Sequence, residues 1–350
     1  MNDTKPSPDQ IRSARAENPK MRERDLAAQL GVSEADLVAA EVGISARRVE
    51  PRANDLLRGL EAVGEVMALT RNESAVHEKI GVYDKVVTGT GASMVLSENI
   101  DLRIFPNAWA HGFAVEKRDG DDIRRSLQFF DKAGVAVHKV HLRPASNVEA
   151  YEALVTELLS ADQSQGITTE KVEKSTFSPE EGGSAEELRQ RWTQMTDTHQ
   201  FFGMLRTLKL NRKQALGMVG EDYAWPLDNA SVPALFDAAA ESETPIMCFV
   251  GNHGCIQIHS GPIKNIKPMG PWLNILDETF HMHLRVDHIK EVWAVRKPTK
   301  DGHVTSVEAY GADGELIIQF FGKRKEGKAE RDEWRAIAEN LPRVVRSTAA

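Results

Sequence analysis

The chain aligns with itself at an offset of 180 residues. Residues 64–117 fall on residues 244–297 without a gap, so that Met67 meets Met247, Asn72 meets Asn252 and Gly81 meets Gly261. The same offset carries Ser126 onto Ser306 and Gly134 onto Gly314. Identities are few, but the register is constant and the apolar positions match. Such a chain is expected to fold as two copies of one architecture. What the copies share should specify the fold, and what differs between them should mark function.

A length of 350 residues suits two domains, each able to bury its own core. The expected boundaries are 1–160 for the first copy, a polar linker at 161–184 that ends near Gly182-Gly183, and 185–350 for the second copy. Residues 9–43 read as helices, with Leu26, Leu30 and Leu37 at near-helical spacing and a break at Gly31. Strands are expected at 65–71, 75–80, 100–105, 110–116, 126–131 and 135–142, then a helix at 148–159. In the second copy a helix should run from Ala185 through Trp192 towards His199. Strands should follow at 245–250, 255–260, 280–286, 291–297, 304–310 and 315–321. Several connections are short enough for antiparallel hairpins. The expected class is therefore α+β, a tandem structural duplication in which each half is a large antiparallel sheet flanked by helices. Alternating βαβ units and a Gly-rich phosphate loop are both missing, which argues against a nucleotide-binding fold.

The net charge of −8 argues against a general nucleic-acid binder. No apolar run is long enough to span a bilayer and the opening MNDTKPSPDQ is polar, so neither membrane insertion nor a signal peptide is expected. Two cysteines, Cys248 and Cys255, suit a reducing cytosol.

Residues 26–37 have the pattern of a helix-turn-helix, with Gly31 in the turn. A DNA-reading second helix needs Arg, Lys, Asn or Gln, whereas this one offers Glu34, Asp36 and Glu41. A packed helical hairpin is the expected reading. His281 and His283 share one face of a strand whose other face is Phe280, Met282, Leu284 and Val286. No third metal ligand stands at fixed spacing, so a wet outer face is expected rather than a zinc site. In residues 192–205, His199 lies among Met195, Phe202 and Leu205 by helical spacing. One neutral His beside an apolar wall is what haem iron commonly needs. The first copy has Pro19 or Lys20 at the corresponding place by offset, so the duplication offers one such ligand. In residues 100–105, Ile100, Leu102 and Ile104 alternate with Asp101, Arg103 and Phe105.

The segment Trp192-x-x-Met-Thr-Asp-x-His-x-Phe-Phe, the run FVGNHGCIQIHSGP at 249–262 and Leu102-Arg103-Ile104-Phe105 together resemble the HemS/ChuS/HmuS family of bacterial haem-utilisation proteins, or hemin-degrading factors. The resemblance covers almost the whole chain. It implies one haem in a cleft between the halves, with His199 as proximal iron ligand and Arg103 as the distal arginine. It further implies Phe105, Phe202 and Met247 around the macrocycle, and Lys297, Gln319 and Arg324 near the propionates. Phe321 stands where relatives carry Tyr. A guanidinium has no free lone pair, so Arg103 is read as a hydrogen-bond donor to a ligand of the iron. The function implied is cytosolic receipt of imported haem and release of its iron by macrocycle opening, with electrons from an external donor. The alternative is a haem chaperone that hands its cargo on, and the remote alternative is a DNA-binding regulator. Implied partners are haem itself and the cytoplasmic side of a haem ABC importer or a downstream haem-degrading enzyme.

Overall fold

The computed structural model describes residues 5–170, 182–324 and 327–344; residues 171–181 of the expected linker lie outside the described residues. The strands form two large antiparallel sheets with flanking helices. The chain divides into two compact units. The first comprises Met1–Arg71, His77–Glu173 and Gly251–Gln257; the second comprises Asn72–Val76, Lys174–Val250 and Ile258–Ala350.

In the first unit, Ser7 and Ser33 each form a capping box that starts α1 (Pro8–Glu17) and, after α2 (Glu23–Leu30), α3 (Glu34–Ala39). Gly31 ends α2 in the left-handed conformation. Residues 35–40 are all buried, so α3 has no free face to enter a DNA groove. The helical hairpin is packed, as its acidic composition suggested. The sequence pattern did not reveal β1 (Ala46–Val49) or α4 (Ala53–Val63), although Leu56, Leu57, Leu60 and Val63 form a buried helical stripe in the latter. The remaining elements are β2 (Val66–Arg71), β3 (Ala75–Gly81), β4 (Val86–Val87), β5 (Ser93–Leu96), β6 (Asp101–Ile104), β7 (His111–Asp119), β8 (Asp122–Phe130), β9 (Ala136–Leu142) and α5 (Val148–Glu157). The turn between β7 and β8 lies at Gly120-Asp121. Gly120 supplies its positive φ.

The second unit repeats the order. Helices α6 (Ala185–Thr193), α7 (Gln200–Thr207) and α8 (Arg212–Val219) precede β10 (Ala224–Leu227) and α9 (Ser231–Glu241). Strands β11 (Ile246–Gly251), β12 (Cys255–Gly261), β13 (Ile266–Met269), β14 (Trp272–Leu276), β15 (Phe280–Arg285), β16 (Glu291–Thr299), β17 (Gly302–Tyr310) and β18 (Leu316–Gly322) follow, then α10 (Asp332–Asn340). The ladder β1-β7-β8-β9-β2-β3 of the first unit matches β10-β16-β17-β18-β11-β12 of the second. The register matches as well, Ala46 opposite Val115 and Ala224 opposite Val295. Strands β3 and β12 each contribute residues to both units.

Each face of the second unit's sheet has its own core. One packs on α9 and α10 through Phe236, Phe320 and Trp334; the other packs on α6, α7 and α8 through Trp192, Phe201, Leu216 and Val295. On the first of these faces, a Cβ added at Gly322 would meet the Trp334 ring at 2.5 Å. Trp334 is fully buried and donates its indole N–H to the Thr305 carbonyl, so it has no room to yield. Gly322→Ala is expected to destabilise by about 1–3 kcal/mol, read as a lower urea midpoint.

The copies differ inside the core as well. In the first unit buried His138 is held by the Thr70 hydroxyl at Nδ1 (2.8 Å) and the Tyr83 hydroxyl at Nε2 (2.6 Å), with Cys255 Sγ 3.4 Å from the Thr70 oxygen. Burial pushes the imidazole down to about 3, so it stays neutral. At the same offset the second unit has Val250, Ile263, Ile318 and Ala75, all apolar core. Both cysteines are free and buried.

Candidate functional site

The helix expected to run from Ala185 to His199 is interrupted. α6 ends at Thr193, and His199 is the N-cap of α7. Asp197 causes the break: its Oδ1 accepts the backbone N–H of His199 at 2.8 Å, while Gln200 Oε1 accepts that of Thr196 at 2.9 Å. Met195 is therefore not a helical neighbour of His199 but part of the buried core under α6–α8. The same Asp197 oxygen lies 2.7 Å from His199 Nδ1. A carboxylate can only accept, so the ring proton sits on Nδ1 and the Nε2 lone pair is left for an external partner. The His199 side chain is 92% exposed. The Asp197 carboxyl is held below its ordinary value, first by the His199 backbone N–H and then by the ring; the charge of Arg324 adds in the same direction. Arg324 thus belongs to the electrostatic surroundings of this pair.

Three residues along the chain from His199, Phe202 is 61% exposed and packs edge-on against buried Phe201. The Arg212 guanidinium lies 5.2 Å from the Phe201 ring centre and 5.7 Å from that of Phe202. The sheet beneath presents Met247 opposite Phe321, Phe249 opposite Gln319, and Gln319 opposite Glu308. Paired residues share a face, so Met247, Gln319 and Lys297 all stand on the side covered by α6–α8.

Two of the residues expected at a carboxylate-binding rim turn inward instead. Lys297 is buried; its Nζ donates to Glu308 Oε1 at 3.2 Å and lies 4.6 Å from the Phe201 ring centre. Gln319 donates to the same oxygen at 3.0 Å. The physical reason is Glu308, which the sequence reading did not single out. This fully buried carboxylate also accepts from Arg212 Nε and Nη2 (2.8 and 2.6 Å), Ser306 Oγ (2.7 Å) and Tyr310 Oη (2.5 Å). Burial alone would raise Glu308, but Arg212 and Lys297 outweigh it and hold the carboxyl well below its ordinary range. Burial brings the Lys297 ammonium down to about 8. Ser306, Glu308 and Tyr310 alternate along β17, and that is the available signal: an acid between two hydroxyl side chains on one face of a strand.

In the first unit, Arg103 on β6 is half-buried and donates to Asp101 and to the Leu102 carbonyl. Burial raises the Asp101 carboxyl, with Arg103 opposing. Ile100, Leu102 and Ile104 are buried, as their alternation suggested. Phe105 follows, its N–H bonded to the Gly254 carbonyl at 3.0 Å. His253, in the same unit, lies 3.1 Å from buried Asp131, whose hydrogen bond raises the imidazole. In the second unit, Phe280, Met282 and Leu284 are buried while His281 and His283 are half-exposed, and His283 Nδ1 lies 2.6 Å from Asn274 Oδ1. Among the described residues no group of three or more His, Cys, Asp or Glu side chains is placed to hold a metal ion.

The family model described as the haemin-degrading HemS/ChuX domain matches residues 31–158 and again residues 209–341. The chain belongs to the HemS/ChuX family. It is similar to the hemin transport protein HemS of Yersinia enterocolitica, with 41% identity over 93% of this chain and 94% of that one. It is also similar to the hemin transport protein HmuS of Yersinia pestis, with 39% identity over 95% of each. The crystal structure of holo-PhuS, a heme-binding protein from Pseudomonas aeruginosa, superposes with a TM-score of 0.94 at 45% identity, covering 97% of this chain and all of that one. ChuS, described as an Escherichia coli heme oxygenase, superposes at 0.85 with 36% identity, covering 93% and 98%. Both HemS/ChuX matches span sheet and helices, but the first of the two ends of the second match begins at 209, so the His199 segment lies outside it. Among the described residues no helix is long and apolar enough to cross a membrane.

Proposed function

We propose that this protein binds haem as cargo in haem uptake, with His199 Nε2 as the ligand of the iron. The observation that carries the reading is the Asp197–His199 pair: an exposed imidazole, oriented by a carboxylate at Nδ1, beside an exposed phenyl ring. A carboxylate on the far nitrogen fixes the tautomer and raises the basicity of the ligating one. Phe202 and Met247 supply apolar surface for a macrocycle, and Arg324 supplies a cation for its carboxylates. Lys297 and Gln319 act through Glu308, holding Arg212 against the Phe201–Phe202 wall. Arg103, with Phe105, provides the distal donor. The names of HemS, HmuS and PhuS support haem handling, and that of ChuS supports the further step, opening of the macrocycle with release of iron. Iron would supply the dioxygen chemistry and an external donor the electrons. The same proposal places the protein in the cytoplasm, between a haem importer and the fate of its iron.

The deciding experiment loads the protein with haem, adds a reductant and oxygen with catalase present, and follows the Soret band together with released iron. Loss of the band with stoichiometric iron release is expected. A stable Soret band with no tetrapyrrole product would leave a haem chaperone. Catalase is required because peroxide from the reductant destroys haem without an enzyme.

A further inference from the structure

The first unit contains a cavity of about 1110 Å³ that the haem reading does not use. Its wall is apolar at Ile11, Met21 and Ile44, and basic at Arg15, Arg22 and Lys117. Element by element, it is the counterpart of the His199 site. Helices α1, α2 and α3 lead into β1 as α6, α7 and α8 lead into β10. Arg22 is the N-cap of α2 as His199 is the N-cap of α7, an offset of 199 − 22 = 177. On the sheet, Lys117 and Gln128 stand at the places of Lys297 and Glu308, an offset of 180. The constant offset of 180 had put Pro19 or Lys20 opposite His199; the helices correct this to Arg22.

The chemistry of the place changes accordingly. A guanidinium has no lone pair and cannot bind iron, but it binds carboxylates through paired N–H donors. Arg15 Nη1 donates to the Met21 carbonyl at 2.7 Å, while its Nη2 is buried without a partner among the described groups. Lys117 and Lys139 meet Glu23 and bring its carboxyl down to about 2, against burial, the largest single influence. The lining carries five basic and four acidic residues; Lys117, Arg118 and Arg47 pair with Glu23, Glu116 and Glu152, which leaves an excess of one positive charge in a chain of net charge −8. Ile44 is 64% exposed, an apolar side chain presented to whatever enters.

We infer that this cavity is a second ligand site, for an apolar carboxylate-bearing molecule held without a metal bond: a metal-free tetrapyrrole. The choice of a tetrapyrrole rests on the haem reading above, whereas the cavity, its charge and Arg22 do not. Such a site would hold a tetrapyrrole from which iron has gone while haem occupies the His199 site.

The test uses the full chain, first saturated with haem, then titrated with metal-free protoporphyrin IX and followed by its fluorescence. One further equivalent should bind with no loss of the haem Soret band. The double variant Arg22→Glu with Ile44→Glu, both at exposed positions, should weaken that binding by about tenfold or more and leave the haem titration unchanged. Equal binding by variant and wild type, no binding to the haem-loaded chain, or uptake matched by haem release would each overturn the inference. Failure of the haem reading shows separately, as haem binding that His199→Ala does not alter. In that event the porphyrin titration is run without haem, and the double variant must still weaken it.

Discussion

Replacing His199 with Ala should weaken haem binding by about 100-fold or more, the equivalent of about 3 kcal/mol or more, and should displace the Soret maximum. The size follows from what is removed: one metal–nitrogen bond, with only apolar contact and carboxylate–cation pairing left behind. The side chain is 92% exposed and its ring touches Asp197, so its loss removes no core packing and the far-ultraviolet circular dichroism should be unchanged. Asp197→Ala should be milder, about 10–100-fold, because the ligand stays while its orientation and tautomer are released. That ordering separates a ligand role from a general effect of altering the start of α7. Asp197 also holds the His199 backbone N–H, so a purely structural role would make Asp197→Ala the more damaging of the two. An unchanged Soret band and unchanged affinity in His199→Ala would remove the axial assignment.

The fold was legible in the sequence because the strands carry their register in alternation. Residues 64–117 and 244–297 share an offset of 180, and β2 and β11 begin at Val66 and Ile246, 180 apart. The helices drift: α2 and α7 begin at Glu23 and Gln200, 177 apart, and α4 and α9 at Ala53 and Ser231, 178 apart. Length changes collect in the loops, where they cost little, and a single offset cannot follow them. That is why the partner of His199 was misplaced by two to three residues. The site was legible only in part. His199 and Phe202 stand out as residue types, but the helix break that exposes them comes from Asp197, whose side chain competes for backbone N–H groups in a way that periodicity does not register. Glu308 was legible only through Ser306 and Tyr310, two residues to either side; its other partners, Arg212 on α8 and Lys297 and Gln319 on neighbouring strands, are brought to it by folding alone. The same divergence explains His138, whose polar partners Thr70 and Tyr83 lie more than fifty residues away.

Glu308→Gln should cost about 3–5 kcal/mol at neutral pH, seen as a fall in the thermal and urea midpoints, because it leaves Arg212 and Lys297 buried without a counter-charge. The charge, not the shape, is what matters, so Arg212→Met added to Glu308→Gln should recover part of the loss. The pH dependence supplies an independent check. The folded-state value of Glu308 is depressed, so its contribution is fully present above the ordinary carboxylate value of 4.5 and is lost as pH falls below it. The wild type should therefore lose stability on acidification faster than Glu308→Gln, and the gap between the two should narrow below about pH 4.5. Equal midpoints at pH 7 would show that the pair gains nothing over its desolvation cost. A constant gap down to pH 3 would show instead that the variant acts through packing alone, and the Glu308 cluster would then be a shape requirement rather than an electrostatic support for the wall beside His199.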